Sequence, residues 1–235
     1  MSTETDGMTR VPRSKEAARA SYNRLSRWYD RIAGGSERKF REMGLDLLKA
    51  SAGETVLEVG CGTGHSLLAL SRQVGPAGRV YGLDLSEGML TQARSRLDKN
   101  RMGPWTTLQC GDAVHLPFPA ESFDALFMSF TLELFDTPEL PLVLEECQRV
   151  LKQDGRLSVV ALAKRKKLAV SLYEWFHRRL PNYVDCRPIY VRDIVAEAGF
   201  HTVEAIERLM WGLPVDVLLA CKPYWKGRIN PALKT

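Results

Sequence analysis

Nine residues constrain this chain more than any others: Val56-Leu57-Glu58-Val59-Gly60-Cys61-Gly62-Thr63-Gly64, an apolar run closed by three glycines at alternate positions. The run reads as a buried strand, and the pattern after Gly64 reads as a helix. Gly60, Gly62 and Gly64 supply the positive φ angles of a tight turn and leave no Cβ to collide with a ligand. The helix that follows points free N–H groups at it. A merely structural turn needs one or two glycines; three, with Cys61 between the first two, mark a loop that a bulky nucleoside can approach closely.

A dinucleotide-binding turn carries G-x-G-x-x-G, whose last glycine would fall here on His65. The third glycine instead arrives one residue early, and an acid, Glu58, stands two residues before the first. A carboxylate in that place can orient the amino-acid portion of a ligand, for which a pyrophosphate has no use. Asp84 closes Tyr81-Gly82-Leu83-Asp84-Leu85-Ser86, where a carboxylate can accept from both hydroxyls of a ribose. The alternative is a helix cap shared with Ser86. Asp112, in Cys110-Gly111-Asp112-Ala113, stands where an oxygen could accept from an adenine amino group; alone it is little more than a turn aspartate.

Strands and helices trade places along the chain. Strands are expected at Thr55 to Val59, Arg79 to Leu83, Thr106 to Cys110, Asp124 to Ser129 and Arg156 to Ala161, the last announced by a turn at Asp154-Gly155. Helices are expected after Gly64, from the N-cap Ser86 to about Leu97, and from Thr137 to Leu151. This alternation predicts an α/β fold with a doubly wound parallel sheet covered on both faces. A helix from Val191 to Ala198, closed by Gly199, and two strands near Val203 to Arg208 and Val215 to Cys221 complete it. The expected division is a disordered tail over 1–14 and a single domain over 15–235. Within that domain lie a helical arm (15–50), a cofactor-binding core (51–163), a helical substrate-cap insert (164–190) and a C-terminal helix with strands (191–235).

The chain has 235 residues, enough for such a core. No apolar run approaches a membrane span and the first twenty residues carry no signal-like stretch, so a cytoplasmic protein is expected. Five cysteines scattered without a C-x-x-C pair argue against disulfides and zinc, and no metal is expected. The four histidines, His65, His115, His177 and His201, form no Ser-His-Asp or metal-ligand pattern. A net charge of +5 is first of all a solvated basic face; contact with an anionic membrane surface is the other reading.

With the segments Leu116-Pro117-Phe118, Phe123-Asp124 and Arg149 through Leu157 added to those above, the chain resembles the class I S-adenosylmethionine-dependent methyltransferases over about residues 20 to 162. Within them it is similar to the ubiquinone and menaquinone biosynthesis group. The resemblance implies a Rossmann-like sheet of seven strands, the last antiparallel, and S-adenosylmethionine as cofactor, leaving as S-adenosylhomocysteine. It implies the glycine loop, with Glu58, under the methionine portion, Asp84 on the ribose, Asp112 and Ala113 at the adenine, and Leu85 and Met89 as apolar contacts to it. It implies Ser129 and Phe130 facing the methyl donor.

Methyl transfer from a sulfonium is an in-line displacement that consumes the donor's positive charge, so alignment and exclusion of water matter more than acid–base machinery. No catalytic base is assigned from sequence. Ser129-Phe130-Thr131-Leu132-Glu133 lacks the Pro-Pro-aromatic run of DNA amino-methyltransferases, and no nucleic-acid partner is expected. A small hydrophobic or lipid-like acceptor remains, quinone-precursor-like or phospholipid-like. Tyr22 and Tyr29 of the arm, Phe130, and Trp175 and Tyr183 of the insert are the candidate acceptor contacts. In the insert, Leu168, Leu172, Trp175, Phe176 and Arg179 recur at helical spacing beside Lys164 to Lys167, which fits a helix packed on the core or a lid at a lipid surface. Monomer and homodimer both stay open. A non-catalytic nucleoside-binding protein of the same fold and an NAD-dependent oxidoreductase are the alternative functions.

Overall fold

The computed structural model describes residues 8, 10, 11, 13–32, 34–165, 170, 173 and 186–222. Seven strands form one sheet in the order β3-β2-β1-β4-β5-β7-β6. They are β1 (Thr55–Val59), β2 (Arg79–Asp84), β3 (Thr106–Cys110), β4 (Phe123–Ser129), β5 (Leu151–Leu162), β6 (His201–Met210) and β7 (Leu213–Cys221). The first five run parallel, and β7 lies antiparallel to both β5 and β6. The chain builds outward from β1 to β3, then returns to the other side of β1 to lay down β4. That reversal opens a crevice at the carboxyl ends of β1 and β4, where open α/β sheets hold ligands.

The helices are α1 (Lys15–Leu25), α2 (Tyr29–Ile32), α3 (Gly34–Leu48), α4 (His65–Val74), α5 (Glu87–Lys99), α6 (Leu140–Val150) and α7 (Val191–Glu197). Hydrophobic burial fills both faces of the sheet. On one, Val143, Leu144 and Cys147 of α6 and Ile194 and Val195 of α7 pack on Leu57, Leu126 and Leu157. On the other, Phe40 and Leu48 of α3, Leu67 and Leu70 of α4 and Leu90 and Leu97 of α5 pack on Val56, Val80, Phe127 and Val160. Strands sandwiched in this way are buried on both faces: every residue of β7 is buried, including Asp216, which pairs with Arg165 and Arg192. The edge strand β6 is mostly exposed.

The structure departs from the sequence expectation in three places. The segment beginning at Thr137 opens as one 3-10 turn, Thr137–Glu139, before α6. Pro138 and Pro141 cannot donate N–H groups to a continuous α-helical ladder, and a capping box between Asp136 and Glu139 closes the first turn by itself. The expected turn at Asp154-Gly155 is absent; β5 is extended from Leu151, and its register against β4 jumps between Phe123 and Ala125. The pairing is irregular there, with residues 152–155 facing Asp124 alone, where a turn before the strand was expected. Finally, β6 and β7 are longer than expected and form a hairpin through Trp211 and Gly212, with φ of 52° and 83°. Both central residues at positive φ suit the twist of a two-residue hairpin loop.

The arm over 15–50 divides into α1, α2 and α3. Ser14 caps α1, and Arg10, within the 1–14 segment, forks Asp136 at 2.6 to 2.9 Å. Of the insert, residues 166–169, 171–172 and 174–185 lie outside the described residues. Among the described residues no helix is long and apolar enough to cross a membrane.

Candidate functional site

A cavity of about 1320 Å³, mouth included, opens over the carboxyl ends of β1 to β4 and beneath the arm. Each strand delivers one stretch to its floor: Glu58 to Thr63 after β1, Leu83 to Leu85 after β2, Gly111 to Ala113 after β3, and Ser129 to Thr131 after β4. The arm delivers Tyr22, Tyr29, Glu37 and Arg41 to its roof, and α5 delivers Met89.

The glycine loop is shaped by two close approaches. Gly60 has φ of 71°, its N–H donates to Leu83 O at 2.8 Å, and a Cβ there would strike the Thr131 side chain. Gly62 donates its N–H to Asp84 Oδ2 at 2.8 Å, so the acid at the end of β2 holds the loop at the end of β1. The other oxygen, Asp84 Oδ1, accepts from Ser86 N at 2.9 Å. The cap of α5 is Ser86, whose hydroxyl accepts from Met89 N. Asp84 is therefore not that cap, and each of its oxygens keeps a lone pair for a ligand. Burial raises its carboxyl above the ordinary value, against the pull of the Ser86 and Gly62 N–H groups. Gly64 does not line the cavity. With φ of 81° it sits at the N-cap of α4, and a Cβ would lie 2.9 Å from Ala93 Cβ, so this glycine lets α4 pack against α5.

Glu58 is 2% exposed, and burial pushes its carboxyl up to about 8, with the Ser66 hydroxyl and the Arg41 charge opposing. Its Oε2 has no hydrogen-bond partner among the described residues. A buried acceptor left bare at a cavity wall favours a ligand that brings a donor or a positive charge. Burial likewise raises the Cys61 thiol well above its usual range. Asp112 makes the turn contact, Oδ1 accepting from Val114 N at 3.1 Å, while Oδ2 pairs with Lys15 Nζ at 2.5 Å.

The arm is fastened to this floor by polar contacts. Lys15 bridges Asp112 and Glu139, and Asn23 Oδ1 accepts from the Ser86 hydroxyl at 2.7 Å and Gly88 N at 2.9 Å. Asp30 accepts from the Thr63 hydroxyl at 2.6 Å and pairs with Arg96 at 2.5 Å and His65 at 3.3 Å. Burial pushes Asp30 up, but the Thr63 and Arg96 hydrogen bonds prevail and hold it below its ordinary value.

Beyond β4 the floor turns apolar. Phe130 takes φ of 52°, unusual for a bulky residue, and its ring meets Phe40 edge-on at 6.3 Å. Such outliers concentrate at functional sites. Glu133, next in the chain after Leu132, is fully buried; Oε1 accepts from Leu162 N at 3.1 Å and burial raises the carboxyl to about 8. Of the acceptor contacts expected from sequence, Tyr22, Tyr29 and Phe130 line the cavity, and Trp175 and Tyr183 lie outside the described residues. Of the cofactor contacts, all but Gly64 line it.

Sequence reasoning missed Glu37 and Arg41. Burial raises Glu37 to about 7, with the Arg41 charge opposing. Neither makes a hydrogen bond or ion pair with a described residue. Their i, i+4 spacing, which puts both on one face of α3, was the available signal. Among the described residues no cluster could hold a metal ion.

A family model described as a methyltransferase domain matches residues 56–155. A demethylmenaquinone methyltransferase from Lactobacillus johnsonii is 33% identical over 167 residues, covering 69% of this chain and 68% of that one. Another, from Lactococcus lactis subsp. lactis, is 30% identical over 208 residues, covering 87% of this chain and 75% of its own. Among solved structures, a SAM dependent methyltransferase from Aquifex aeolicus superposes with a TM-score of 0.63 at 24% identity, over 83% of this chain and 97% of that one.

Proposed function

Because the chain belongs to the class I S-adenosylmethionine-dependent methyltransferases, we propose that its cavity binds the methyl donor along β1, β2 and β3 and a quinol-like acceptor beside β4. The enzyme is a methyltransferase and its cofactor is S-adenosylmethionine. The observation that carries the site assignment is the bare, buried Glu58 Oε2 at the wall of a cavity lined by seven Asp or Glu side chains and three Lys or Arg. A ligand with an ammonium supplies the donor that this oxygen lacks, which a pyrophosphate cannot.

In this reading Glu58 faces the donor's ammonium and Gly60, Cys61 and Gly62 bring backbone against its methionine portion. Arg41, a cation on the roof that no described residue pairs, takes the carboxylate. Asp84 accepts from the ribose hydroxyls, and Asp112, Ala113, Leu85 and Met89 border the adenine. When bound, the donor supplies an electrophilic methyl whose sulfur leaves neutral. The protein's part is to align the nucleophile in line, hold Ser129 and Phe130 at the junction of donor and acceptor, and exclude water under the arm.

The acceptor side is built from Tyr22, Tyr29, Phe130, Leu134 and Phe135, an aromatic and aliphatic surface suited to a substituted ring. Relatives named demethylmenaquinone methyltransferases support a naphthoquinol ring over a phospholipid. An acceptor with a long apolar chain would be met at a membrane surface, which cosedimentation with anionic liposomes tests. The deciding experiment incubates protein with labelled S-adenosylmethionine and either a reduced 2-alkyl-1,4-naphthoquinone or phosphatidylethanolamine. Label in the naphthoquinol alone is expected; label only in the phospholipid, or in neither, removes this assignment.

A further inference from the structure

The cavity divides along the strand order. Glu58, Asp84 and Asp112 belong to β1, β2 and β3 on one side, whereas Ser129 to Thr131 follow β4 on the other. Helix α3 crosses that second side, in contact with β4, β5 and β7. Glu37, in its first turn, thus enters the cavity on the acceptor side. Two electrostatic neighbours fit the placement, since Tyr29 of α2 and Glu133 after β4 both feel Glu37; Arg41, one turn further along α3, opposes it and reaches Glu58 as well.

Apart from Glu58, the other carboxylates of the cavity are occupied. Asp30 is taken by Thr63 and Arg96, Asp84 by Gly62 and Ser86, and Asp112 and Glu139 by Lys15. Asp136 is taken by Arg10, and Glu58 lies on the donor side. Tyr29 is no base, since burial holds its phenol protonated. His65 stands beside Asp30 at the start of α4, under the glycine loop.

Resting on the quinol reading above, we propose that Glu37 is the general base that removes the acceptor's hydroxyl proton when a ring carbon is methylated. The O–H bond breaks and its proton passes to a Glu37 oxygen. The electron pair left on the acceptor oxygen feeds the ring, and the ring carbon forms its bond to the methyl as the sulfur–methyl bond breaks, sulfur keeping that pair. The C–H bond at the methylated carbon then breaks; its electrons restore the aromatic ring while the carbonyl oxygen regains a proton. One proton is released in all, and Glu37 hands it to solvent. A carboxyl held near 7 by burial, with Arg41 opposing and Tyr29 and Glu133 nearby, is matched to that exchange at neutral pH.

The test uses the full chain with reduced 2-alkyl-1,4-naphthoquinone as acceptor. Glu37→Gln is expected to lower kcat by about 100-fold or more, the usual scale of a positioned base, with the Kd for S-adenosylmethionine within about twofold of wild type. The wild-type rise of kcat with pH through about 7 should vanish in Glu37→Gln. Infrared titration should lose one protonated-carboxyl band that ionises in the same range. Glu37→Asp, which keeps the charge at shorter reach, should retain the pH limb at reduced kcat, and it carries the test if Glu37→Gln does not fold. A Glu37→Gln enzyme with wild-type kcat, or a Glu37→Asp enzyme without the limb, overturns the role of Glu37 and leaves the acceptor reading standing. A wild type that binds S-adenosylmethionine yet transfers nothing to the naphthoquinol overturns the acceptor reading and this proposal together.

Discussion

Replacing Asp84 by Asn separates what this carboxylate does for the fold from what it does for the ligand. Its two oxygens accept from Gly62 N at 2.8 Å and Ser86 N at 2.9 Å. The amide has one oxygen, so one of these N–H groups would meet an NH₂ instead. A buried donor left without a partner costs roughly 1–3 kcal/mol, and the unliganded variant should melt several degrees lower, as a change of that size does in a domain of this length. The ligand effect comes on top: losing one charge-assisted bond to a ribose hydroxyl costs about 1.5–3 kcal/mol. At 1.4 kcal/mol per decade, the Kd for S-adenosylmethionine should weaken about 10- to 150-fold. Thermal unfolding without ligand reads the first quantity and isothermal calorimetry the second. Unchanged calorimetric affinity in a folded variant would refute the ribose role, whatever the melting temperature did.

Other expectations follow from the same geometry. Gly60→Ala forces a side chain into φ of 71° and against Thr131, so cofactor affinity should fall by more than tenfold in the soluble fraction, checked by calorimetry. Arg41→Ala should weaken S-adenosylmethionine about tenfold or more while adenosine, which lacks the carboxylate, binds as before; equal losses for both would move Arg41 out of its assigned place. The buried carboxyls Glu58, Glu133 and Glu37, raised to about 8, 8 and 7 from 4.5, stay protonated in the folded chain after the unfolded chain has ionised. Their contribution to stability is therefore whole below about pH 4.5 and declines as pH climbs toward 8. Asp136, depressed to about 2, acts in the opposite sense and loses its contribution as pH falls from 3.8 toward 2. Chemical denaturation of the unliganded protein between pH 5 and pH 8.5 checks the first sign, and a flat or rising profile would contradict it.

What could be read without coordinates was local. Three glycines after a strand and an acid closing the next are chemistry written in adjacent residues, and the structure brings Glu58, Gly60, Gly62 and Asp84 to one cavity. The parallel order of β1 to β5 followed from alternation of strand and helix. Gly64 can be read two ways, because a glycine serves a ligand or a neighbouring helix equally well in sequence; only the docking of α5 shows that Ala93 is what it packs against. Asp154-Gly155 is a strong turn signal, yet β5 runs through it, with Gln153 and Asp154 exposed where the pairing with β4 is irregular. Glu37 and Arg41 went unread for the same kind of reason. Their position over the cavity depends on how α3 lies across three strands drawn from the other end of the chain.

While α3 is anchored by the burial of Phe40 and Leu48, the front of the arm, α1 and α2 with the residues before them, is held over the cavity by small polar attachments. Arg10 is 68% exposed where it grips Asp136, Asp30 is 40% exposed, and Lys15 33%. Pairs of that exposure contribute about 0–1 kcal/mol each and are screened over about 8 Å in physiological salt. A cover built this way stays down most of the time yet peels back one contact at a time. The residence of the spent nucleoside should then depend on the ionic medium: where its departure limits turnover, raising salt quickens the cycle even as it loosens the grip on fresh donor.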